Sequence, residues 1–397
     1  MIFYDCSHTS HCAANTGIQH TSRCLFKALS INQESNVVPI CFDPYQNTWR
    51  NLDCLEKSLM TENKNFNRKK NRSSFWTLKQ CIRGIFFRFL NSKSIISSIT
   101  ADALIISEIF KPEIFKALKK IYPNILGPKI AIFYDTIALK FPEYTPNKTV
   151  NRFPEYLNEL ITFDGIAAIS EDSKISLLEY WLKHYPKTVY PKIKTISLAS
   201  NTVSKQSIMV NQKINSCIIP KILFVSTIEG RKNHKNLLDA AKQLWDSGLN
   251  FKLELIGLLN KETGQIVLNY LNNLQNQGYP VKWLGPVDEK KLQQSYQGCY
   301  FTIYPSLYEG FGLPVLEGLS YGKPCVLTPG GALKEIAKEG GCLVTKDFSS
   351  FSIAKSIKKL ILEPKLYNKL KKEALYRSTR TWNDYAEELL KFIEELR

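Results

Sequence analysis

Short apolar runs rich in β-branched and aromatic residues alternate with helical periodicity along almost the whole chain. This alternation is typical of parallel α/β units, in which helices cover both faces of a sheet. It predicts an α/β protein with two sequential doubly wound sheets of similar size and with ligands at the carboxyl ends of the strands. The predicted strands are Ile2–Tyr4, Val37–Phe42, Ala103–Ile106, Ile130–Tyr134, Gly165–Ile169, Lys194–Leu198, Lys221–Thr227, Lys252–Ile256, Lys282–Leu284, Tyr300–Tyr304, Cys325–Thr328 and Cys342–Thr345.

Two polar residues mark the starts of predicted helices. Ser170 precedes Glu171–His184, and Asp288 precedes Glu289–Gln297. In each case a side-chain oxygen can accept a hydrogen bond from an otherwise unpaired amide of the first turn. We therefore predict that both residues are N-caps.

The length and one polar stretch predict the domain boundaries. A chain of 397 residues is long enough for two domains. Around Ser200–Ser216 the sequence becomes polar and loses its periodicity, which indicates an interdomain linker. We therefore predict one domain over residues 1–205 and a second over 206–380. Residues 381–397 place apolar side chains on one helical face, which predicts an amphipathic closing helix.

The charge and the cysteines bear on partners and compartment. Lys and Arg number 53 against 36 Asp and Glu, giving a net charge of +17, so we expect an anionic partner: nucleic acid, an acidic membrane or a phosphorylated ligand. The ten cysteines lack the spacing of a disulfide framework, which favours a reducing cytoplasm. No signal-peptide pattern and no apolar stretch of spanning length is present, so we expect a cytoplasmic protein.

A group of sulfur and imidazole side chains lies near the start of the chain. Cys6, His8, His11 and Cys12 are residue types that bind zinc. Their spacing differs from the usual spacings of zinc ligands, so we favour a polar loop over a metal site.

The stretch Tyr304–Glu317 follows a predicted strand and opens a helix. Gly310 and Gly312 let the backbone approach a ligand closely. The amides of Phe311, Gly312 and Leu313 would then point at an anion, which the helix dipole favours. The pattern predicts a phosphate site bordered by two carboxylates, Glu309 and Glu317. The alternative is that both are ordinary loop and first-turn acids.

This stretch resembles the signature of the retaining family 4 glycosyltransferases, group 1 type, in which two glutamates eight positions apart flank Gly-Phe-Gly-Leu-Pro. The resemblance implies a GT-B fold, with two Rossmann-like doubly wound parallel-sheet domains facing across a cleft. It implies that Glu309 lies at the transferred sugar and that Glu317 binds the nucleotide ribose. It also implies that the helix in 381–397 returns to the first domain.

Adjacent cations precede the first predicted helix of the second half. Arg231 and Lys232 would make an anion site there, and a solvated basic turn is the alternative. The segment resembles the family's Arg-Lys-Asn-His motif, which implies that both cations meet the donor diphosphate. Ser226 stands where many relatives carry a further arginine.

Two loops of the first half resemble family motifs with changes. The loop around Gly17 resembles the Thr-Gly-Ile-Gln loop of one branch, which lies beside the donor phosphates, with His20 in place of the usual arginine. Tyr134 and Asp135 resemble the family's His-Asp pair. Tyrosine can hydrogen-bond a sugar hydroxyl but cannot replace an imidazole near neutral pH. With Glu309, the resemblance makes Tyr134 and Asp135 the candidate catalytic residues.

Residues 68–90 are basic with a helical apolar face that includes Phe75, Leu78, Ile82 and Phe89. Such a segment suits the surface of an anionic membrane, where apolar side chains enter the interface and cations meet lipid headgroups. A core helix with a solvated basic edge is the alternative.

Together these features predict a retaining glycosyltransferase that moves a sugar from a UDP- or GDP-linked donor to a glycan or lipid-linked glycan, in bacterial surface polysaccharide synthesis. We expect no metal cofactor, because cationic side chains and helix termini can stabilise the diphosphate, and no nucleic-acid partner. The location would be cytoplasmic, with peripheral membrane contact as an option. The alternatives are a catalytically inactive relative that acts as a scaffold, or a basic nucleic-acid-binding protein.

Overall fold

The computed structural model describes residues 1–14, 17–31, 36–61, 75–90, 95–200 and 219–397. The chain forms two units. The first unit comprises Met1–Leu139, Asn147–Leu198 and Trp382–Arg397, and the second comprises Lys140–Pro146 and Ala199–Thr381. The predicted boundary at residue 205 and the predicted linker, apart from Ser200, fall within 201–218, outside the described residues.

The first unit is built on a seven-stranded sheet with the order β3-β2-β1-β4-β5-β6-β7. All neighbouring strands are parallel except β3, which runs antiparallel to β2 at the sheet edge. The predicted strands of this half are confirmed with shifts at their ends, whereas β3 was not predicted. The strands are β1 (Ile2–Asp5), β2 (Val37–Asp43), β3 (Thr48–Asn51), β4 (Ala103–Ile106), β5 (Lys129–Phe133), β6 (Gly165–Ala168) and β7 (Lys192–Thr195).

The second unit contains a six-stranded, wholly parallel sheet with the order β10-β9-β8-β11-β12-β13. Its core is dominated by aromatic and branched side chains such as Phe224, Phe251 and Phe301, which are fully buried. All six predicted strands of this half are present. They are β8 (Lys221–Val225), β9 (Lys252–Ile256), β10 (Val281–Trp283), β11 (Phe301–Tyr304), β12 (Cys325–Leu327) and β13 (Cys342–Val344).

Helices connect the strands, as parallel pairing requires. Up to residue 200 they are α1 (Gly17–Ile31), α2 (Cys54–Thr61), α3 (Leu78–Phe89), α4 (Pro112–Ile121), α5 (Ile137–Lys140), α6 (Asn147–Glu159) and α7 (Glu171–His184). Beyond it they are α8 (His234–Asp246), α9 (Gln265–Asn276), α10 (Glu289–Gly298), α11 (Leu313–Ser320), α12 (Leu333–Lys338), α13 (Ser350–Leu362), α14 (Pro364–Tyr376) and α15 (Trp382–Glu394). No helix in the described ranges is both long enough and apolar enough to span a bilayer.

Both predicted N-caps are confirmed. The Ser170 hydroxyl accepts a hydrogen bond from the Ser173 amide at 3.1 Å. The Asp288 carboxylate accepts one from the Lys291 amide at 2.7 Å. Each cap satisfies one of the amides that a helix start leaves unpaired, which is why short polar residues signal these boundaries.

The closing helix α15 belongs to the first unit. It packs against α1, with the side chains of Tyr385, Leu389 and Phe392 fully buried. The same helix reaches the sheet, since a Cβ at Gly165 of β6 would lie 3.0 Å from the Phe392 ring. The amphipathic closing helix that the pattern predicts is therefore present, with its apolar face buried.

The helix α3 lies within the predicted basic segment, of which residues 68–74 are outside the described residues. Its apolar face is exposed: Leu78 is 76% and Phe89 is 88% accessible. The alternative of a core helix is therefore wrong, because the apolar side chains do not reach the core.

Candidate functional site

Three loops of the second unit meet at one edge of its sheet. Strands β8, β11 and β12 are adjacent and parallel, so the loops that follow them emerge at the same carboxyl edge. Backbone hydrogen bonds connect these loops: the Leu307 amide donates to the Arg231 carbonyl at 2.9 Å, and the Ala332 amide donates to the Glu309 carbonyl at 3.0 Å. The site is thus held by main chain as well as by side chains.

Lys232 and Glu309 form the centre of this site. The Lys232 ammonium donates to Glu309 Oε1 at 2.6 Å and to the Tyr304 hydroxyl at 3.0 Å. Arg231 approaches the same carboxylate oxygen at 3.0 Å and donates to Glu229 Oε1 at 2.9 Å. Arg231 and Lys232 are 9% and 8% accessible. The alternative of a solvated basic turn is therefore wrong, and their contact with a donor stays a prediction.

The charges of this cluster shift the pKa values of its own side chains. Burial by itself raises the pKa of the Glu309 carboxyl, but Arg231 and Lys232 outweigh it and lower that pKa to about 2. Burial lowers the pKa of Lys232, and the neighbouring Glu309 opposes that shift. Two cations and the carboxylates of Glu229 and Glu309 balance one another. The two cations are thereby held in place, and Arg and Lys side chains are suited to binding a phosphate.

The glycine loop ends at the start of α11. Gly312 has a φ of +126°, and a Cβ there would lie 2.8 Å from Leu333 Cδ2, so only glycine fits. The helix begins at Leu313, and Pro314 is its second residue, where its missing N–H costs nothing. Within the described part of the chain, the amides of residues 311–313 donate to no backbone carbonyl. They are suited to an anion.

Glu317 is half-buried one turn into α11. The Tyr296 hydroxyl of α10 donates to Glu317 Oε2 at 2.7 Å. Burial, together with the Glu317 charge, raises the pKa of Tyr296 well above its usual range. Tyr296 therefore stays a neutral donor that orients the carboxylate, and its ring stacks on Tyr321 at 5.5 Å.

Sequence reasoning missed Tyr296, Tyr304 and Glu229. Tyr296 and Tyr304 act through contacts with Glu317 and Lys232 that only the folded chain creates. Glu229 stands two residues before its partner Arg231, so an acid beside the basic pair was the one available signal.

Three candidate site residues, Tyr134, Asp135 and Gly17, belong to the first unit. The Tyr134 hydroxyl donates to the Ser107 carbonyl at 2.7 Å, and burial raises the pKa of this tyrosine well above its usual range. Asp135 Oδ1 accepts from the Ile137 amide at 2.9 Å. Gly17 is the exposed first residue of α1. The catalytic and donor-binding roles predicted for these three residues stay predictions.

The imidazole of His11 contacts neighbouring side chains of the first unit. Its Nε2 lies 2.8 Å from Glu56 Oε1, and its ring stacks on Trp76 at 3.8 Å. Among the described residues no group of three or more His, Cys, Asp or Glu side chains is arranged to hold a metal ion.

His234 beside the cluster gives a testable pH dependence. Burial and the Lys232 charge lower the pKa of His234 from 6.5 to about 3, so the imidazole is neutral in the folded state. Acidification below pH 6.5 therefore protonates the unfolded chain first and lowers the free energy of unfolding. Between pH 7.5 and pH 5, the free energy of unfolding of the wild type should fall by about 2 kcal/mol more than that of a His234→Phe variant.

Urea titrations of both proteins at pH 7.5, 6 and 5 measure this difference. Glu309 does not contribute in this window, because its stabilisation is lost only as the pH falls from 4.5 towards about 2. An equal pH response of wild type and variant would show that His234 is not buried as a neutral imidazole.

Residues 219–377 match the family described as glycosyl transferases group 1. They form a group 1 glycosyltransferase domain. This domain contains the whole Glu309 cluster and Glu317. The family resemblance of the sequence is therefore confirmed over residues 219–377.

Two curated relatives come from Escherichia coli. The O-antigen chain mannosyltransferase B is 28% identical over 239 residues, which is 58% of this chain and 61% of that protein. A serotype-specific mannosyltransferase WbdA is 26% identical over 279 residues, which is 66% of this chain and 33% of that protein. The chain thus spans less than two thirds of the length of either relative.

Solved structures resemble the whole chain. Sucrose-phosphate synthase from Thermosynechococcus elongatus has a TM-score of 0.67 at 15% identity, and the match covers 100% of this chain and 98% of the synthase chain. Anabaena HepE in complex with UDP and glucose has a TM-score of 0.65 at 15% identity, with 99% of each chain covered. With the two doubly wound sheets, this similarity shows the predicted GT-B fold.

Proposed function

We propose that the protein transfers a sugar from a nucleoside-diphosphate sugar to a glycan with retention at the anomeric carbon. The observation that carries this proposal is the buried Lys232–Glu309–Arg231 cluster beside the backbone amides of residues 311–313 at the start of α11, inside a group 1 domain. The curated relatives are named mannosyltransferases, one of them for the O-antigen chain, which favours a mannosyl donor and a surface polysaccharide acceptor.

The reaction breaks the bond between the anomeric carbon and the diphosphate oxygen. The acceptor hydroxyl forms the new bond on the same face, and its proton passes to the departing phosphate. Negative charge grows on that phosphate, so Arg231, Lys232 and the amides after Gly310 would lower the barrier. Among the residues that the structure describes, Lys232 donates to two acceptors, which leaves its third proton for a phosphate oxygen.

The two glutamates would hold the donor at its two ends. Glu309, ionised and fixed by two cations, would orient the sugar hydroxyls. Glu317, oriented by Tyr296, would accept hydrogen bonds from the ribose. We propose that cationic side chains take the place of a divalent metal, so transfer should persist in EDTA.

The ribose role gives a direct binding test. Thermal stability of the wild type is measured with UDP, GDP and ADP; a ligand at ~100 times its dissociation constant should stabilise by about 2.7 kcal/mol. Glu317→Ala should lose about 1.5–3 kcal/mol of binding, because a charged hydrogen-bond acceptor is removed. Glu262→Ala, which changes an exposed carboxylate of the same unit, is the matched control.

One nucleotide series that stabilises the wild type and the control, and stabilises Glu317→Ala clearly less or not at all, would identify the donor class and support the ribose role. Stabilisation that is equal in all three proteins would contradict the ribose role. No stabilisation by any nucleotide, together with salt-sensitive binding of RNA, would favour the nucleic-acid alternative.

A second candidate function is that of an inactive relative. The observation that favours it is the Tyr134 hydroxyl, which is engaged by the Ser107 backbone where the family places a histidine. Such a protein would bind the nucleotide and release nothing, so an assay of turnover distinguishes the two functions.

A further inference from the structure

The helix α3 presents its apolar face outwards. Leu78, Ile82, Ile85 and Phe89 follow one another at helical spacing, and all are exposed. Phe86 at one side of this strip is exposed as well. An exposed patch of several large apolar side chains marks an interaction surface.

The opposite face of α3, which includes Gln80 and Gly84, attaches the helix to the first unit. Gln80 is buried, and its amide donates to Asp53 Oδ2 at 3.0 Å and to Glu56 Oε1 at 2.9 Å. Gly84 allows close contact, since a Cβ there would lie 2.6 Å from Tyr45 Cβ. A helix of a soluble domain normally faces its core with apolar residues. The reversed orientation of α3 is therefore fixed by its contacts.

The charges around the exposed strip are positive. At 100° per residue, Lys79 and Arg83 lie on one side of it and Arg88 on the other. Arg83 contacts Asp53 at 3.4 Å, while Lys79 and Arg88 are exposed. Residues 75–90 contain no Asp or Glu, so these three cations are the only charged side chains of the described segment.

We propose that α3 docks the protein on the surface of a membrane that contains anionic lipids. The strip of Leu78, Ile82, Ile85 and Phe89 enters the interface between headgroups and acyl chains, and Lys79 and Arg88 contact lipid phosphates. An apolar face bordered by cations is the combination that binds such surfaces. A second copy of the chain fits less well, because a symmetric contact would bring the same cations together.

Vesicle sedimentation with the full chain tests this proposal. Vesicles of phosphatidylglycerol and phosphatidylcholine should bind the protein, and vesicles of phosphatidylcholine alone should bind it at least about tenfold more weakly. The variant I82S/I85S/F89S should lower the partition into anionic vesicles by about tenfold or more, because three interfacial side chains are lost.

A matched control removes apolar exposure elsewhere. In I266S/F351S, two side chains of the second unit that are 79% and 67% accessible are replaced, and vesicle binding should be unchanged. The variant K79S/R88S should weaken binding to anionic vesicles and leave the residual binding to phosphatidylcholine as it is.

The inference goes beyond the proposed function and fails separately from it. A thermal melt of I82S/I85S/F89S that matches the wild type verifies that the variant is folded, whether or not a nucleotide binds. Equal vesicle binding by this variant and the wild type would overturn the proposal. A wild-type dimer in sedimentation velocity that the same variant dissociates would overturn it in favour of a second copy.

Discussion

Glu309→Gln is expected to lower the rate of sugar transfer by about 10²–10³ while nucleoside diphosphate still binds. The substitution keeps the size of the side chain but removes the charge that holds Lys232 at 2.6 Å and Arg231 at 3.0 Å. Released from this carboxylate, both cations remain available to a diphosphate. Steady-state transfer and calorimetric binding of the nucleoside diphosphate measure the two effects separately.

The control for this variant is Glu262→Gln, which neutralises an exposed acid of the same unit. It should match the wild type in both measurements. Because removing one partner of a buried ion pair can cost about 3–5 kcal/mol of stability, thermal melts must show that Glu309→Gln is folded at the assay temperature. A folded Glu309→Gln variant with wild-type turnover would exclude Glu309 from the reaction.

Lys232→Met is expected to weaken diphosphate binding and to lower transfer, together by about 10²–10³ in kcat/KM. Methionine preserves most of the apolar stem, which is buried beside Tyr304, but removes the ammonium. Glu309 then keeps only Arg231 as a cationic partner, so the site loses its balance of charge. Loss of binding in Lys232→Met with retention of binding in Glu309→Gln is the pattern that separates donor anchoring from catalysis.

Lys235→Met is the matched control for this second prediction. Lys235 lies three residues further on, its side chain is 68% accessible, and it pairs with Asp239 on the surface of α8. Its removal should change kcat/KM by less than about twofold, because exposed pairs contribute little. An equal loss of activity in Lys235→Met and Lys232→Met would mean that general positive charge, rather than the buried cluster, attracts the donor.

The strands could be predicted because each buried strand of a parallel sheet is a short apolar run bounded by polar residues. The edge strand β3 could not. Its four residues include one apolar side chain, Trp49, whose indole donates to the Ala117 carbonyl at 2.9 Å. The Arg50 guanidinium contacts Asp43 at 2.8 Å, across the same pair of strands. Contacts between distant segments thus decide this pairing, which local propensity does not report.

The residues of the candidate site that lie close together in the sequence could be predicted, and their partners on other elements could not. Gly312 and the two glutamates stand within one short stretch, whereas the partner of Glu317 is on α10. Tyr134 illustrates the limit, because the sequence suggests a hydroxyl available to a sugar and the fold directs it to the Ser107 carbonyl.

The segment around α3 shows why periodicity alone left two alternatives. A core helix and an interfacial helix have the same apolar spacing. The choice depends on Gln80 and Gly84, which the fold places against Asp53 and Tyr45. The apolar strip is thereby turned outwards.

The release of nucleoside diphosphate from UDP- and GDP-sugars, with and without bacterial polysaccharide acceptors, tests the proposed function most directly. We predict acceptor-dependent release from one donor series, unaffected by EDTA and lost in a folded Glu309→Gln variant. A wild type that is stabilised by a nucleotide but releases none from any donor would contradict the enzymatic proposal and establish the binding protein in its place.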